Sequence, residues 1–192
     1  MNAYLRALRL ERWPRSLAIF AGSAAFYFLN RTEIAGLGRP AAIGRLALAF
    51  LLTWMISTAN YVINEIADVP YDVHHPAKRL RPLILGEIRK GPFALVGAGL
   101  AAAALVAAWR FYSRPFILWL AVLLLAGFIY NIRPVRTKDI PFLDSVSESA
   151  NNPIRFLIGW FAALPAAAVP VRPPLSLLLS WWAFGNFPMV AK

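Results

Sequence analysis

The chain has 192 residues, of which 59% are hydrophobic and 15% are charged, and it contains no cysteine. This composition excludes an ordinary soluble domain, which would need more polar surface. The lack of cysteine excludes a disulfide framework and thiolate chemistry. The formal net charge is +11. The basic residues lie between apolar runs, so membrane topology explains them better than binding to nucleic acid does.

Six apolar runs are long enough to be membrane-spanning helices, because roughly 20 helical residues cross a bilayer core of about 30 Å. The runs are 16–30, 41–63, 92–109, 115–131, 153–171 and 174–190. The sequence therefore predicts an all-α, multi-pass bundle of transmembrane helices. It forms a single membrane domain over residues 1–192 and is surrounded by the lipid bilayer.

Lysine and arginine are distributed unevenly between the segments that join these runs. Fourteen of them share the side of the membrane that holds the N-terminus, and six lie on the other side. Because basic residues favour the cytoplasmic side, the asymmetry predicts an integral protein of the cell membrane with a cytoplasmic N-terminus. The two longest internal loops, 65–91 and 132–152, would also face the cytoplasm.

Acidic residues are concentrated in these two loops, which hold seven of the nine in the chain. Ionisable groups near membrane depth are costly and usually functional. In the first loop region Asn64, Asp68 and Asp72 are spaced by four residues, so on a helix they share one face. Glu65 lies beside them, and Pro70 is expected to bend or end the helix.

The second loop repeats this pattern, since Asp144 and Glu148 are also four residues apart. Carboxylates beside asparagine side chains are oxygen ligands for a hard cation. Mg²⁺ suits them because it takes one or two carboxylates, keeps several waters and completes its shell with phosphate oxygens. The pattern therefore predicts a magnesium-bound diphosphate above an apolar bundle that has room for a lipid tail.

Cations flank both clusters and are candidates to hold phosphate oxygens directly. They are Lys78, Arg79, Arg81, Arg136 and Lys138. Simpler interpretations stay open at this point. Each acidic cluster alone is also compatible with a solvated helix face, and His74-His75 fits a polar turn better than a ligand pair. Asn152-Pro153 fits the cap and first residue of the next helix.

Four stretches resemble the UbiA family of intramembrane prenyltransferases. "NEIADVPYD" resembles the first Asp-rich motif, Asn-Asp-x-x-Asp-x-x-x-Asp, and "HHPAKRLRPLILGEI" resembles its continuation. "YNIRPVRTKDIPFLDSVSES" resembles the second motif region, and "RLERWPRS" the entry to the first helix. The similarity covers most of the chain in the right order. Glu65 and Glu148 stand where the family usually has Asp, which keeps the charge and lengthens the side chain.

The resemblance implies Mg²⁺-dependent transfer of a prenyl group from a polyprenyl diphosphate to an acceptor. In the residue-by-residue comparison, one Mg²⁺ is bound by Asn64, Asp68 and Asp72, with Glu65 adjacent, and a second by Asp144 and Glu148. The diphosphate is held by Lys78, Arg81 and Lys138, with Arg79 and Arg136 as further candidates. Tyr130 is expected near the diphosphate or the reacting carbon. The expected catalytic set is Asp68, Asp72, Asp144, Lys138 and Tyr130.

The acceptor is left open by the sequence. The candidates are an aromatic ring, a carotenoid or other lipid, and a phosphosugar. "HPAKRLRP" resembles relatives that use phosphoribose, whereas "RPVRTKDIPFLDSVS" resembles relatives that act on carotenoids or archaeal-type lipids.

The family typically has nine transmembrane helices, so a chain with six is expected to be a C-terminally truncated member. A truncated member without catalysis is therefore one alternative. A fragment of an ion- or proton-coupled transporter is another. The position of the acidic residues at the ends of the spans argues against the transporter, which would more often place them at mid-membrane.

Overall fold

The structure is a computed structural model, and it describes residues 3–30, 39–164 and 171–190. Within these ranges the chain forms helices and turns, without a β-strand. The α-helices are α1 (Ala3–Ala7), α2 (Ala18–Leu29), α3 (Arg39–Asp72), α4 (Lys90–Phe111), α5 (Arg114–Asn131), α6 (Leu143–Ala163) and α7 (Leu175–Val190). Short 3₁₀ helices cover Leu10–Leu17, Lys78–Leu80 and Thr137–Asp139. The predicted all-α bundle is confirmed, with a helix on each of the six apolar runs.

Two helices extend beyond their apolar runs into the polar loops. Helix α3 passes through Pro70 and ends at Asp72, so the proline does not end the helix, although it removes one backbone hydrogen bond. Helix α6 begins at Leu143. The prediction that Asn152-Pro153 starts this helix is therefore wrong. The polar first part of α6 continues the helical hydrogen bonding, and Pro153 lies inside the helix.

Three of the described helices are long and apolar enough to cross a membrane: Ala41–Asp72, Lys90–Phe111 and Arg114–Asn131. Helix α6 is instead the centre of the bundle, since every residue from Ile154 to Leu164 is buried. Its partner α2 packs against it at two glycines. A Cβ on Gly22 would overlap the carbonyl oxygen of Phe156, and a Cβ on Gly159 would overlap that of Ile19.

This glycine contact brings the two backbones together, as small residues do between membrane helices. The hydroxyl of Ser23 also donates a hydrogen bond of 2.7 Å to the carbonyl of Gly159. At one end of the bundle, Arg45 joins the ends of two further helices by donating to the carbonyls of Phe111 (3.3 Å) and Leu164 (3.1 Å).

The opposite end of the bundle holds the acidic residues. The C-termini of α3 and α5 meet the N-terminus of α6 there, because successive helices run in opposite directions. The fold therefore places the two loops that the sequence analysis singled out side by side.

Candidate functional site

A polar cavity of about 410 Å³ opens between the end of α3 and the loop that joins α5 to α6. It is lined by Asn64, Asp68, Tyr71, Asp72, Lys78, Arg81, Tyr130, Arg136, Lys138, Asp139 and Asp144. Nine of these eleven residues are site candidates from the sequence analysis. The two Asp-rich regions thus contribute to one cavity, although about 70 residues separate them in the chain.

Asp68 is the centre of the polar contacts. Its carboxylate forms ion pairs with Lys138 and, at 2.9 Å, with Arg136. The ammonium of Lys138 also donates to the side-chain oxygens of Asn64 (3.2 Å) and Asn131 (2.9 Å). Lys138 therefore ties the α3 face to the end of α5 and fixes Asn64 and Asp68 relative to each other.

Burial lowers the pKa of the Lys138 ammonium from its ordinary value, because a charged group loses solvation there. The hydrogen bond to Asp68 acts in the opposite direction by favouring the charged form. The side chain is only 12% exposed. Its charge is thus held in a partly desolvated position, where an anionic ligand would interact with it more strongly than at the surface.

Asp72 lies one turn beyond Asp68 and is almost fully buried. It pairs with Arg81 and, at 3.4 Å, with Lys78. Both cations come from the segment that follows α3. In this segment the ring nitrogen Nδ1 of His75 accepts hydrogen bonds from the backbone of Ala77 and Lys78, so this histidine holds a turn, as predicted.

On the other side of the cavity, the Tyr130 hydroxyl donates a 2.6 Å hydrogen bond to Asp144. Tyr130 belongs to the last turn of α5 and Asp144 to the first turn of α6. This contact fixes the carboxylate of Asp144 relative to the end of α5.

Arg136 is held by the protein through all of its guanidinium nitrogens. It donates to Asp68 (2.9 Å), to Asp139 (2.8 Å) and to the carbonyls of Asn131 (3.0 Å) and Ala67 (3.3 Å). These contacts position the carboxylates of Asp68 and Asp139 around Arg136. Direct binding of the diphosphate by Arg136 stays a prediction.

Tyr71 supports Arg136 from one side, since the guanidinium lies 4.4 Å from the centre of the ring. The Tyr71 hydroxyl in turn accepts a 2.8 Å hydrogen bond from Arg133. Tyr71 and Asp139 were not among the site residues predicted from the sequence. Asp139 stands three residues after Arg136, a spacing that could have indicated the ion pair.

Three predicted site residues lie outside the lining of the cavity. Glu65 is buried and pairs with Arg9 (2.6 Å) and Arg81 (3.4 Å). Glu148 is 3.4 Å from Arg15. Arg79 is exposed in the short 3₁₀ helix. Their roles in binding metal or diphosphate stay predictions.

The residues present fit a magnesium ion that is completed by its substrate. Within the described residues, no three acidic or histidine side chains gather closely enough to hold a metal on their own. Mg²⁺ does not require this, since it binds through one or two carboxylates, waters and substrate phosphates. The cavity is lined by Asn64, Asp68, Asp72 and Asp144, whose side-chain oxygens are of the type that Mg²⁺ prefers.

Charge balance points the same way. Four cationic and four acidic side chains line the cavity, so their formal charges cancel. A diphosphate would find little net attraction in such a site. Divalent cations that bind between the carboxylates and the phosphate oxygens would supply the missing positive charge.

Comparison with known proteins agrees with this geometry. The sequence profile of the UbiA prenyltransferase family matches residues 17–191. The chain belongs to the UbiA prenyltransferase family. The resemblance that was seen in the two Asp-rich motifs is thus confirmed across nearly the whole chain.

Two curated relatives match almost all of the chain. A decaprenyl-phosphate phosphoribosyltransferase from Mycolicibacterium smegmatis is 25% identical over an alignment of 200 residues. The alignment covers 100% of this chain and 55% of the relative. A protein of the same name from Mycobacterium tuberculosis is 23% identical over 97% of this chain and 57% of its own length. The chain therefore spans little more than half the length of these relatives.

Solved structures confirm the UbiA fold. A UbiA homolog from Archaeoglobus fulgidus bound to GPP and Mg²⁺ matches with a TM-score of 0.74 and 20% identity, over 97% of this chain and 61% of that one. The same homolog bound to DMAPP and Mg²⁺ gives a TM-score of 0.73 over 95% and 60%. Family and apolar helices together indicate an integral membrane protein and a transferase.

Proposed function

We propose that the polar cavity binds a diphosphate substrate together with Mg²⁺, and that the chain transfers a group between this diphosphate and a polyprenyl substrate in the membrane. The observation that carries the proposal is the convergence of both Asp-rich regions on one cavity with balanced formal charges. This balance matches a diphosphate that arrives with divalent cations. When bound, Mg²⁺ would neutralise charge on the diphosphate and make it a better leaving group.

The protein residues have separable roles in this proposal. Asn64, Asp68 and Asp72 would hold Mg²⁺ from the α3 side, and Asp144 from the α6 side. Lys78 and Arg81 bind phosphate oxygens from the segment after α3, because both cations line the cavity. These two residues now pair with Asp72, so metal binding at Asp72 would release them to phosphate.

Of the possible reactions, we favour transfer of a phosphoribosyl group from its diphosphate to a polyprenyl phosphate. An oxygen of the polyprenyl phosphate forms a bond to the anomeric carbon, while the bond from that carbon to the diphosphate breaks. The electron pair leaves with the diphosphate. The names of the relatives that match almost the whole chain support this reaction.

The second candidate is transfer of a prenyl group from a polyprenyl diphosphate to an aromatic, lipid or phosphosugar acceptor. The matches to a UbiA homolog bound to DMAPP or GPP with Mg²⁺ favour it. Both reactions require the same diphosphate site and the same leaving group. They differ in which carbon is attacked and in which substrate carries the lipid.

A product assay tests both candidates. The purified chain would be incubated with Mg²⁺, farnesyl phosphate and ribose-labelled phosphoribosyl diphosphate, or with labelled geranyl diphosphate and candidate acceptors. We expect label from the sugar diphosphate in the lipid extract, lost with EDTA and in Asp68→Asn. Glu11→Gln is the matched control, because its side chain is 69% exposed. Labelled product only from geranyl diphosphate would favour prenyl transfer, and no product in any arm would contradict the transferase proposal for this chain.

We further propose that the polar cavity faces the cytoplasm, on the basis of the distribution of basic residues between loops. The chain has no cysteine, so a single cysteine introduced at the exposed Arg79 is a clean probe. In intact cells a membrane-impermeant maleimide is expected to leave Arg79→Cys unlabelled and to label it only after the cells are opened. Labelling of intact cells would place the cavity outside.

A further inference from the structure

The polar face of α3 continues below the cavity, into the bundle. Ser57, Tyr61, Asn64 and Asp68 follow one another at spacings of four, three and four residues, so they share one face of the helix. The apolar residues of α3 that line a second cavity of about 260 Å³, such as Val62 and Ile66, fall on the opposite face.

Helix α6 carries a matching polar face. Asp144, Glu148, Asn151 and Arg155 are again spaced by four, three and four residues. Both helices extend from the cavity into the bundle, and their chains run antiparallel, because α3 ends at the cavity and α6 begins there. Deeper in the bundle they meet where Arg155 donates to the hydroxyl of Ser57 at 3.5 Å. Eleven residues of helix correspond to about 16 Å, so the paired polar faces extend well beneath the carboxylates.

Arg155 is a buried cation without an acidic partner among the described residues. It is only 8% exposed, and its Nε has no hydrogen-bond partner within the described structure. Glu148 precedes it by seven residues on the same face of α6, and that carboxylate is paired with Arg15 at 3.4 Å. An unpaired buried charge is strongly destabilising, and inside a membrane protein it usually marks a functional site.

The position of Arg155 on α6 favours a ligand that extends from the polar cavity into the bundle. Side chains on a helix tilt toward its N-terminus, and the N-terminus of α6 is the end that carries Asp144. Arg155 is not part of the cavity lining, but it follows Asp144 by eleven residues on α6 and its Cβ tilts toward that end of the helix. It stands at the boundary between apolar core and polar face, where the head group of a lipid substrate would lie.

We infer that Arg155 binds the phosphate of the polyprenyl phosphate, beneath the diphosphate that occupies the polar cavity. Guanidinium binds phosphate through paired hydrogen bonds, and the Ser57 hydroxyl beside it adds a polar contact. The inference rests on the proposed function and extends it, because it assigns a separate place to the second substrate. The lipid phosphate would then lie on the membrane side of the leaving group.

Binding measurements in detergent test this assignment with farnesyl phosphate and farnesol, which differ in the phosphate alone. We expect the wild-type chain to bind farnesyl phosphate about 10- to 100-fold more tightly than farnesol, as a charge-assisted hydrogen bond allows. In Arg155→Met this preference should fall to near unity while the affinity for farnesol stays the same. Retention of the preference in Arg155→Met would overturn the inference.

Stability provides a readout that separates binding from structure. Arg155→Met removes a buried charge that has no acidic partner, so its midpoint of thermal unfolding should equal or exceed that of the wild type. Arg45→Met is the matched control, because Arg45 bonds to backbone carbonyls at the other end of the bundle. It should lower the midpoint and keep the preference for phosphate. If Arg155→Met fails to fold, the charge is structural and the inference is wrong, unless Arg155→Gln folds and loses the preference.

Two further arms distinguish this inference from its alternatives. In the first, ribose 5-phosphate is added as a competitor. If Arg155→Met weakens the binding of this sugar phosphate and leaves the binding of farnesyl phosphate unchanged, Arg155 belongs to the sugar substrate and the lipid assignment is overturned. Mg²⁺-dependent binding of a labelled diphosphate, measured in parallel, reports on the polar cavity alone. Its absence from the wild type would contradict the proposed function, whereas its persistence in Arg155→Met is expected.

Discussion

Replacement of Arg136 by methionine should loosen the whole polar cavity. The guanidinium joins Asp68 of α3 to Asp139 of the loop and also bonds to the carbonyls of Asn131 and Ala67. Its side chain is 7% exposed, and that of Asp68 is 13% exposed. In Arg136→Met these acceptors would lose the guanidinium as a donor, and Asp68 would lose it while largely buried.

The expected loss can be worked from these contacts. Removal of one partner of a buried ion pair costs about 3–5 kcal/mol. The lower end applies here, because Asp68 keeps its ion pair with Lys138 and Asp139 is 45% exposed. A loss of about 3 kcal/mol corresponds to roughly 6–12 °C in the unfolding midpoint for a chain of this size.

Thermal unfolding in detergent, followed by circular dichroism, measures this loss. Arg133→Met is the matched control, because Arg133 belongs to the same loop and also contacts Tyr71 but is exposed. Its midpoint should fall by no more than about 2–4 °C, as expected for an exposed contact worth up to about 1 kcal/mol. Equal losses in the two variants, or no loss in Arg136→Met, would refute the view that Arg136 organises the site.

Three further variants test separate parts of the structure. Gly159→Ala should lower the unfolding midpoint by several degrees in the same assay, because the new Cβ would overlap the carbonyl of Ile19. Gly99→Ala should leave the midpoint unchanged or raise it slightly, because a Cβ there would meet no atom of another helix within 4 Å. Glu65→Gln should lower the unfolding midpoint but leave Mg²⁺-dependent diphosphate binding within about threefold of the wild type, since Glu65 lies outside the cavity lining and its contact with Arg9 (2.6 Å) is shorter than its contact with the cavity residue Arg81 (3.4 Å); a loss as large as that in Asp68→Asn would show that Glu65 belongs to the metal site. Tyr130→Phe removes the hydrogen bond to Asp144 and should weaken diphosphate binding about 3- to 10-fold, the equivalent of one hydrogen bond; unchanged affinity in a titration would contradict a role in orienting Asp144.

The helices and the meeting of the two Asp-rich regions were predictable from the sequence. Apolar run length locates a helix in the membrane, and the repeated spacing of four residues places Asp68 and Asp72 on one face. Helix ends were less predictable. The run length reports where a helix is apolar, whereas α6 starts in the polar segment at Leu143 and keeps its helical hydrogen bonds there.

The partners of individual charges could not be read from the chain. Glu65 follows Asn64 directly, and adjacent helical residues point about 100° apart, so a position off the metal face was foreseeable. Its partner Arg9 was not, because that contact depends on how the N-terminal segment folds back. The same holds for Tyr71 beneath Arg136, which requires the loop of residues 132–142 to be placed against α3 in three dimensions.

The central claim is that the polar cavity is a diphosphate site that depends on Mg²⁺. The most direct test is equilibrium binding of a labelled diphosphate to the purified chain, with Mg²⁺ and then with EDTA, in wild type, Asp68→Asn and Glu11→Gln. We predict binding in wild type and Glu11→Gln that EDTA abolishes, and little binding in Asp68→Asn under either condition. Binding that survives EDTA, or that is equal in Asp68→Asn and wild type, would contradict the claim.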